Sequence, residues 1–505
     1  MTALILHNAR VLTFDRDRPC AEAVAVRDGR IAAVGELAQV STAVSTDAER
    51  FNCRGGALLP AFIDAHCHLL AYAASLRAVD CRTARSIADI QQALRTQAAA
   101  TLADEWIRAF GYEETSLAEN RHPNRHDLDA ITPGHPVRLI HGSGHASVLN
   151  TAALHALGID STSEEPPGGV IEREIPSGEP NGVLLGMERL IDARIPAIAY
   201  EELIASVRQA AGDFLRAGVS CIQDAGHHNG RAEWQLFERL IADGALPLSV
   251  VLMEGFEHLG ELPEHGAGGR LRRGPVKIML HELGDELSPD EDGLAAQVRT
   301  AHEAGRQVAI HAVGPRAVAA ATAAIEQALE RRPRDEHRHR IEHCSVLPPG
   351  LARRLAGLGV IVVSQPSFLR ERGERYLQLV PPGEQPALYA FRTLQEAGVT
   401  LAAGSDAPVT EPAPLSAVAA AIDRRTAAGR PIAPEQAVVV EDGLRWWTAD
   451  AAQAAFLEPE RGVVRTGRQG DLMLLSADPV SASAGELRRI RVERLWIAGT
   501  AVELP

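Results

Sequence analysis

Short apolar runs, set apart by polar stretches and Gly or Pro turns, recur along the whole chain. At the N-terminal end they are Ala3-Leu4-Ile5-Leu6, Ala9 to Leu12, Ala23 to Val26 and Ile31 to Val34. The last two flank Arg27-Asp28-Gly29-Arg30, and an Asp-Gly pair between apolar runs predicts a β-hairpin, because a tight two-residue turn needs left-handed backbone at both central positions. The C-terminal end repeats the pattern: Gly470-Asp471 leads into Leu472 to Leu475, and Val492 to Ile497 leads through a turn into Thr500-Ala501-Val502. β-rich ends around a different middle predict a small β-sandwich built from both termini, residues 1–57 and 460–505.

The middle carries eight apolar runs at 58–64, 218–224, 247–252, 275–280, 307–311, 339–343, 359–364 and 399–405. Strands of a parallel sheet are covered on both faces and so read as continuous apolar stretches. Helical patterns at 201–217, 290–305 and 316–330 lie between them. Eight strands alternating with helices predict an α/β fold of the (β/α)8 TIM-barrel type over 58–74 and 201–459. The stretch 75–200 between the first and second runs is far longer than a βα loop. It holds strand and helix candidates of its own and a Pro/Gly-rich piece from Glu164 to Gly169, so an inserted subdomain is expected there.

Composition narrows the function classes. The 505 residues exceed what one hydrophobic core holds, and an apolar share of 46% with 23% charged residues is ordinary for a soluble enzyme. Aromatic residues make up 4% and the formal net charge is −15. The only basic stretch, Arg331 to Arg340, is interleaved with acids. Nucleic-acid binding is therefore not expected. No apolar run is long enough to span a membrane, and the first residues lack a basic, then apolar, leader pattern, so the expected location is cytoplasmic. Six cysteines, at 20, 53, 67, 81, 221 and 344, contain no CxxC pair and read as packed thiols. The oligomeric state stays open, a homo-oligomer included.

The sharpest chemical signal is Asp64-Ala65-His66-Cys67-His68 at the end of the first barrel run. Residues i and i+2 of an extended segment point the same way, so both imidazoles reach one metal ion, and this strand end is where such barrels place their active sites. Cys67 points away by the same alternation. His311 and His343 end later runs, and Asp406 follows Leu401-Ala402-Ala403-Gly404-Ser405. Lys277 is unusual, because it sits inside the apolar run Pro275 to Leu280, where a free ammonium is costly to bury. Either it snorkels to the strand end or it is carboxylated by CO₂ into a metal-bridging ligand.

His66-x-His68 after Leu-Leu-Pro-Ala-Phe-Ile-Asp-Ala, then Lys277, His311, His343 and Asp406 in order, resembles the amidohydrolase superfamily. Asp127-Leu128-Asp129-Ala130, Gly144-His145-Ala146, Gly168-Gly169-Val170-Ile171 and Tyr389-Ala390-Phe391-Arg392 make the chain similar to amidohydrolase family 3, the branch that includes N-substituted formamide deformylases. The resemblance implies that His66, His68 and Asp406 hold one divalent ion, and that His311 and His343 hold a second. Carboxylated Lys277 would bridge the two. Zinc is the expected metal, since imidazole and carboxylate ligands suit it. The expected reaction is hydrolysis of a linear amide, N-acyl or N-formyl small molecule by metal-activated water, with Asp406 as general base. His145 would polarise the carbonyl or bind substrate.

Two departures from the family pattern fall where substrate should lie. Gly182-Val183-Leu184-Leu185 is followed by Gly186, with Glu188 two residues on, and the strand lysine is followed by His281-Glu282 instead of an acidic-Gly element. Arg370, Arg372 and Arg375 near the seventh run are carboxylate-binding candidates or an exposed basic loop. His227 and His228 end the second run and line the pocket or sit in solvent. Two other readings compete: a one-metal deaminase of a nitrogen heterocycle, and an inactive binding scaffold that should have lost ligands.

Overall fold

The computed structural model describes residues 3–504 apart from 103, 133, 167, 197, 284 and 285. The chain forms two compact units, Met1–His68 with Ala211–Pro505, and Leu69–Ala210.

The first unit contains the expected barrel. Its strands are Phe62–Cys67, Val219–Asp224, Ser249–Gly255, Leu271–Met279, Val308–Ala312, Arg340–His343, Ile361–Ser364 and Thr400–Ala403, each paired in parallel with the next. Between the eighth strand and the first, three hydrogen bonds close the ring beside the histidine motif. Ser405 N–H donates to Asp64 Oδ1 (3.0 Å), Asp406 N–H to His66 O (2.7 Å) and His68 N–H to Ala407 O (2.9 Å). Gly404 permits this seam, because a Cβ there would lie 2.5 Å from His66 N.

Two sheets drawn from the chain ends share one core in the same unit. One has the order Arg30–Gly35, Ala23–Arg27, Ala3–His7, Glu49–Asn52; the other runs Thr500–Val502, Val492–Ile497, Leu472–Leu475, Ala57–Pro60, Arg10–Leu12, Cys20–Ala21. Leu6, Val24 and Ile31 of the first sheet and Val11, Leu58, Leu472 and Trp496 of the second are buried in one cluster. The hairpin turn has the anticipated geometry, with φ of 51° at Asp28 and 78° at Gly29.

The run 58–64 is not one strand. Ala57–Pro60 pairs antiparallel with Leu472–Leu475 in the terminal sheet, and the barrel strand starts only at Phe62. Both pieces are buried on both faces, so hydropathy is continuous across the break and hides it.

The second unit is built on a six-stranded sheet in the order Val170–Arg173, Pro180–Leu185, Ala146–Leu149, Val137–His141, Ile107–Tyr112, Val79–Asp80. Helix Ile87–Ala98 covers it, started by Ser86, whose side chain accepts from Asp89 N–H. The helix buries Ile87, Ile90 and Leu94 against sheet residues such as Ile107, Leu139 and Val148. Among the described residues, no helix is long and apolar enough to cross a membrane.

Candidate metal centre

The C-terminal ends of barrel strands one, four, five, six and eight carry the predicted residues. His66 and His68 leave the first strand with ring centroids 5.5 Å apart. His66 lies 4.9 Å from the His343 ring, and His343 lies 4.5 Å from the His311 ring. Asp406 Oδ1 is 3.2 Å from His68 Nε2 and 3.6 Å from His66 Nε2. Ligand-type atoms of His66, His68 and Asp406 all lie within 4.8 Å of one another. The backbone bends to achieve this. His343 and Asp406 adopt left-handed φ of 73° and 55°, a conformation uncommon for residues other than glycine and typical of constrained functional positions.

The hydrogen bonds orient the imidazoles. Glu342 Oε2 is 2.5 Å from His66 Nδ1, so that nitrogen carries the proton and Nε2 keeps its lone pair. His66 is buried, and Nε2 has no hydrogen-bond partner. Burial, aided by the Lys277 charge and opposed by Glu342, lowers the His66 pKa to about 3, so the ring is neutral. His343 Nδ1 is similarly held by Gln365 Oε1 at 2.7 Å. An unpartnered, buried, neutral imidazole nitrogen facing a carboxylate and a second imidazole is what a divalent ion needs. The donor set fits one.

Charge around the cluster is balanced by buried groups. Burial would push Glu342 up, but the Arg340 guanidinium reverses this, with His66 and Lys277 adding, and the carboxylate stays ionised. Arg340 grips Glu342 through Nε (2.7 Å) and Nη2 (2.9 Å), and also donates to Gln223 and to Ala65 O, so its fork is satisfied across the barrel interior. Burial would likewise raise Asp406, but its hydrogen bond with His68 and the fields of His66 and His343 hold it low. Lys277 is buried, and burial lowers its pKa to about 8 against the pull of Glu342 and Asp406. Asp64, fully buried, accepts from His66 N–H and Ser405 N–H; burial raises it to about 7.

The amidohydrolase family profile matches residues 49–502. The chain belongs to the amidohydrolase family. It is a metal-dependent hydrolase acting on carbon–nitrogen bonds other than peptide bonds. The N-substituted formamide deformylase of Arthrobacter pascens is 30% identical to it, over 99% of this chain and 98% of that protein. The protein LONG AFTER FAR-RED 3 of Arabidopsis thaliana is 27% identical over 94% of this chain and 87% of its own length. An uncharacterised metal-dependent hydrolase from Pyrococcus horikoshii OT3 has the same fold, with a TM-score of 0.77 at 23% identity over 96% of this chain and 99% of that one.

Other predicted residues of this amidohydrolase are not part of the His66–His68–Asp406 convergence. His145 is in the second unit, with its side chain partly exposed and Nδ1 3.8 Å from Glu188 Oε1. Arg370 is the last but one residue of the short helix Ser367–Glu371, where its carbonyl accepts from Ala427 N–H, and Arg372 lies over the Phe368 ring at 5.9 Å. The His227 and His228 rings contact each other at 3.7 Å, and His281 is 6.3 Å from His311. Cys67 is fully buried, and burial keeps its thiol protonated. The second unit holds a separate convergence of Glu113, Glu114 and His141, where the two carboxylates outweigh burial and raise the imidazole.

Sequence reasoning passed over Glu342, Arg340, Gln223 and Gln365. For two of them a signal was present: Arg340 and Glu342 are charged residues at alternate positions of a buried strand that ends in a ligand-type histidine. Such charges persist only when paired.

Proposed function

We propose that this amidohydrolase hydrolyses a linear amide, N-acyl or N-formyl small molecule at the His66–His68–Asp406 cluster. The observation that carries this is the buried lone pair of His66 Nε2, converging with His68 and Asp406 at the end of the barrel. His66, His68 and Asp406 would hold one divalent ion, and His311 and His343 a second, with Lys277 as the carboxylated bridge; zinc suits this donor set. Bound there, the metal would make water nucleophilic at neutral pH and polarise the carbonyl. Asp406, kept ionised, takes the proton from the attacking water and delivers it to the departing nitrogen. His145, Arg370 and Arg372 are proposed to contact substrate. The formamide deformylase relative supports the amide class, and a small-molecule substrate in the cytoplasm is proposed with it.

The test is a panel of N-formyl, N-acetyl and N-carbamoyl compounds and cyclic imides, with acid release followed before and after chelation. Turnover of linear amides that chelation abolishes and zinc restores is expected. Turnover confined to heterocyclic amines, with one ion per chain and unmodified Lys277, would overturn the amide reading.

A further inference from the structure

The imidazoles of the proposed metal centre form a row whose two ends differ. Ring centroids step from His68 to His66 (5.5 Å), from His66 to His343 (4.9 Å) and from His343 to His311 (4.5 Å). One further imidazole continues the row: His281 lies 6.3 Å from His311. Asp406 sits at the opposite end, 3.2 Å from His68 and 3.6 Å from His66. The strand order agrees with this, because His281 follows strand four and His311 belongs to strand five, across the ring from strands eight and one. Burial marks where the row meets solvent. His66, His343, Asp406 and Lys277 are buried, whereas His68, His311 and His281 are half-buried. A substrate held at the centre therefore lies along the edge that runs from His68 to His281.

The local backbone fixes the direction of the His281 ring. Met279 pairs with His311 in the barrel, and just beyond it His281–Leu283 pairs antiparallel with Glu286–Ser288. Neighbouring side chains of an extended strand point to opposite faces. Glu282 turns to the loop after strand five, where its Oε2 accepts from Ala317 N–H (3.4 Å) and Gly314 leaves it room that a Cβ would take. His281 turns the other way, toward His311. This is also where His281-Glu282 replaces the acidic-Gly element of the family pattern, so the imidazole belongs to this chain's own specificity.

We propose that His281 is a substrate-contacting residue that sets acyl-group specificity, by hydrogen bonding to a neutral polar substituent on the acyl chain. This rests on the amide reading above. Asp406 delivers its proton to the departing nitrogen, so that nitrogen lies toward the Asp406 end of the row. The acyl chain leaves from the other side of the carbonyl carbon and runs toward His281. An imidazole can donate to a hydroxyl or accept from one. A site that presents such a group discriminates against an apolar chain of equal length, which leaves the imidazole unpaired. The substrate class is a linear amide whose acyl chain carries a hydroxyl or a similar neutral polar group.

N-(3-hydroxypropionyl) and N-butyryl derivatives of one amine have acyl chains of equal length and differ by a hydroxyl in place of a methyl group. The zinc-loaded wild type is expected to favour the hydroxylated compound by about tenfold in kcat/KM. His281→Leu should bring that ratio to about one, with metal content and thermal midpoint as in the wild type. His281→Gln keeps a hydrogen-bonding group and should keep part of the preference. The released acids, 3-hydroxypropionate and butyrate, probe the same contact without turnover. Titrated calorimetrically into the zinc-loaded protein, they should differ in affinity in the same direction, and His281→Leu should remove the difference. A wild type with no preference, or a His281→Leu variant that keeps the full one, would overturn the proposal. If the wild type turns over no amide, the amide reading fails by itself, and equal wild-type affinities for the two acids would sink this proposal separately.

Discussion

At the scale of single residues, the candidate centre depends as much on what holds the ligands as on the ligands. Glu342 fixes the His66 tautomer and is itself kept ionised by Arg340. Glu342→Gln retains the shape but cannot serve both neighbours as an anion. Metal affinity, measured by competition with a chelator, should fall roughly 10- to 100-fold; an unchanged affinity would remove Glu342 from the account. Arg340→Met should be worse for folding than for metal. It leaves a fully buried carboxylate without its counter-charge, at a cost of about 3–5 kcal/mol, read as a lower urea midpoint for the metal-free protein. The ligand-type histidines were legible because strand periodicity and a fixed strand end restrict where such groups lie. The partners of Glu342 and Gln365 were not: the charges of strand six mark a buried pair, but which residue each serves depends on neighbours distant in sequence, and Glu342 reaches His66 across 276 positions.

At the scale of elements, the seam between strands eight and one decides whether the cluster assembles. Asp64 ties His66 N–H and Ser405 N–H together, and Gly404 lets the strands approach. Gly404→Ala would bring a methyl carbon within 2.7 Å of His66 Cβ and 2.5 Å of its nitrogen. The expected outcome is a protein that loses bound metal and melts at lower temperature, whereas wild-type metal content by elemental analysis would show that the seam relaxes freely. Barrel strands and interleaved helices were readable from apolar runs. The break between Pro60 and Phe62 was not, because both strands are buried on both faces and only their hydrogen-bond partners differ.

At the scale of the whole molecule, the basic stretch before strand six is a structural tie. Val308 N–H donates to His339 Nδ1 (3.1 Å), which leaves the His339 proton on Nε2, facing His302 Nδ1 at 2.8 Å; His302 Nε2 then donates to Arg332 O (2.7 Å). His337 Nδ1 accepts from His339 N–H (2.8 Å), and its Nε2 donates to Leu358 O (2.7 Å). All three histidines are buried, and the network joins helices Glu291–Glu303, Pro315–Arg331 and Leu351–Leu358 to strands five and six. Burial, with Arg334 nearby, lowers His337; burial and the other two histidines lower His339 well below 6.5. Their folded pKa values lie under the unfolded ones, so the unfolded chain binds more protons below pH 6.5. The contribution of these two histidines should therefore be flat in pH above that value and fall below it, by up to about 1.4 kcal/mol per pH unit for each, with His66 adding to the fall and Asp64, raised to about 7, opposing it. Denaturant midpoints between about pH 7.5 and pH 5.5 measure this, and His337→Gln with His339→Gln should flatten the slope. An equally steep fall in that double variant would place the acid sensitivity elsewhere.

The most direct test of the central claim is the rate of acid release from an N-formyl or N-acyl amide by three preparations: metal-free, zinc-loaded, and zinc-loaded Asp406→Asn. Turnover should be present only in the zinc-loaded wild type, while Asp406→Asn retains most of its metal and is inactive. Activity in the metal-free protein, or undiminished activity in Asp406→Asn, would contradict a metal-dependent hydrolysis centred on His66, His68 and Asp406.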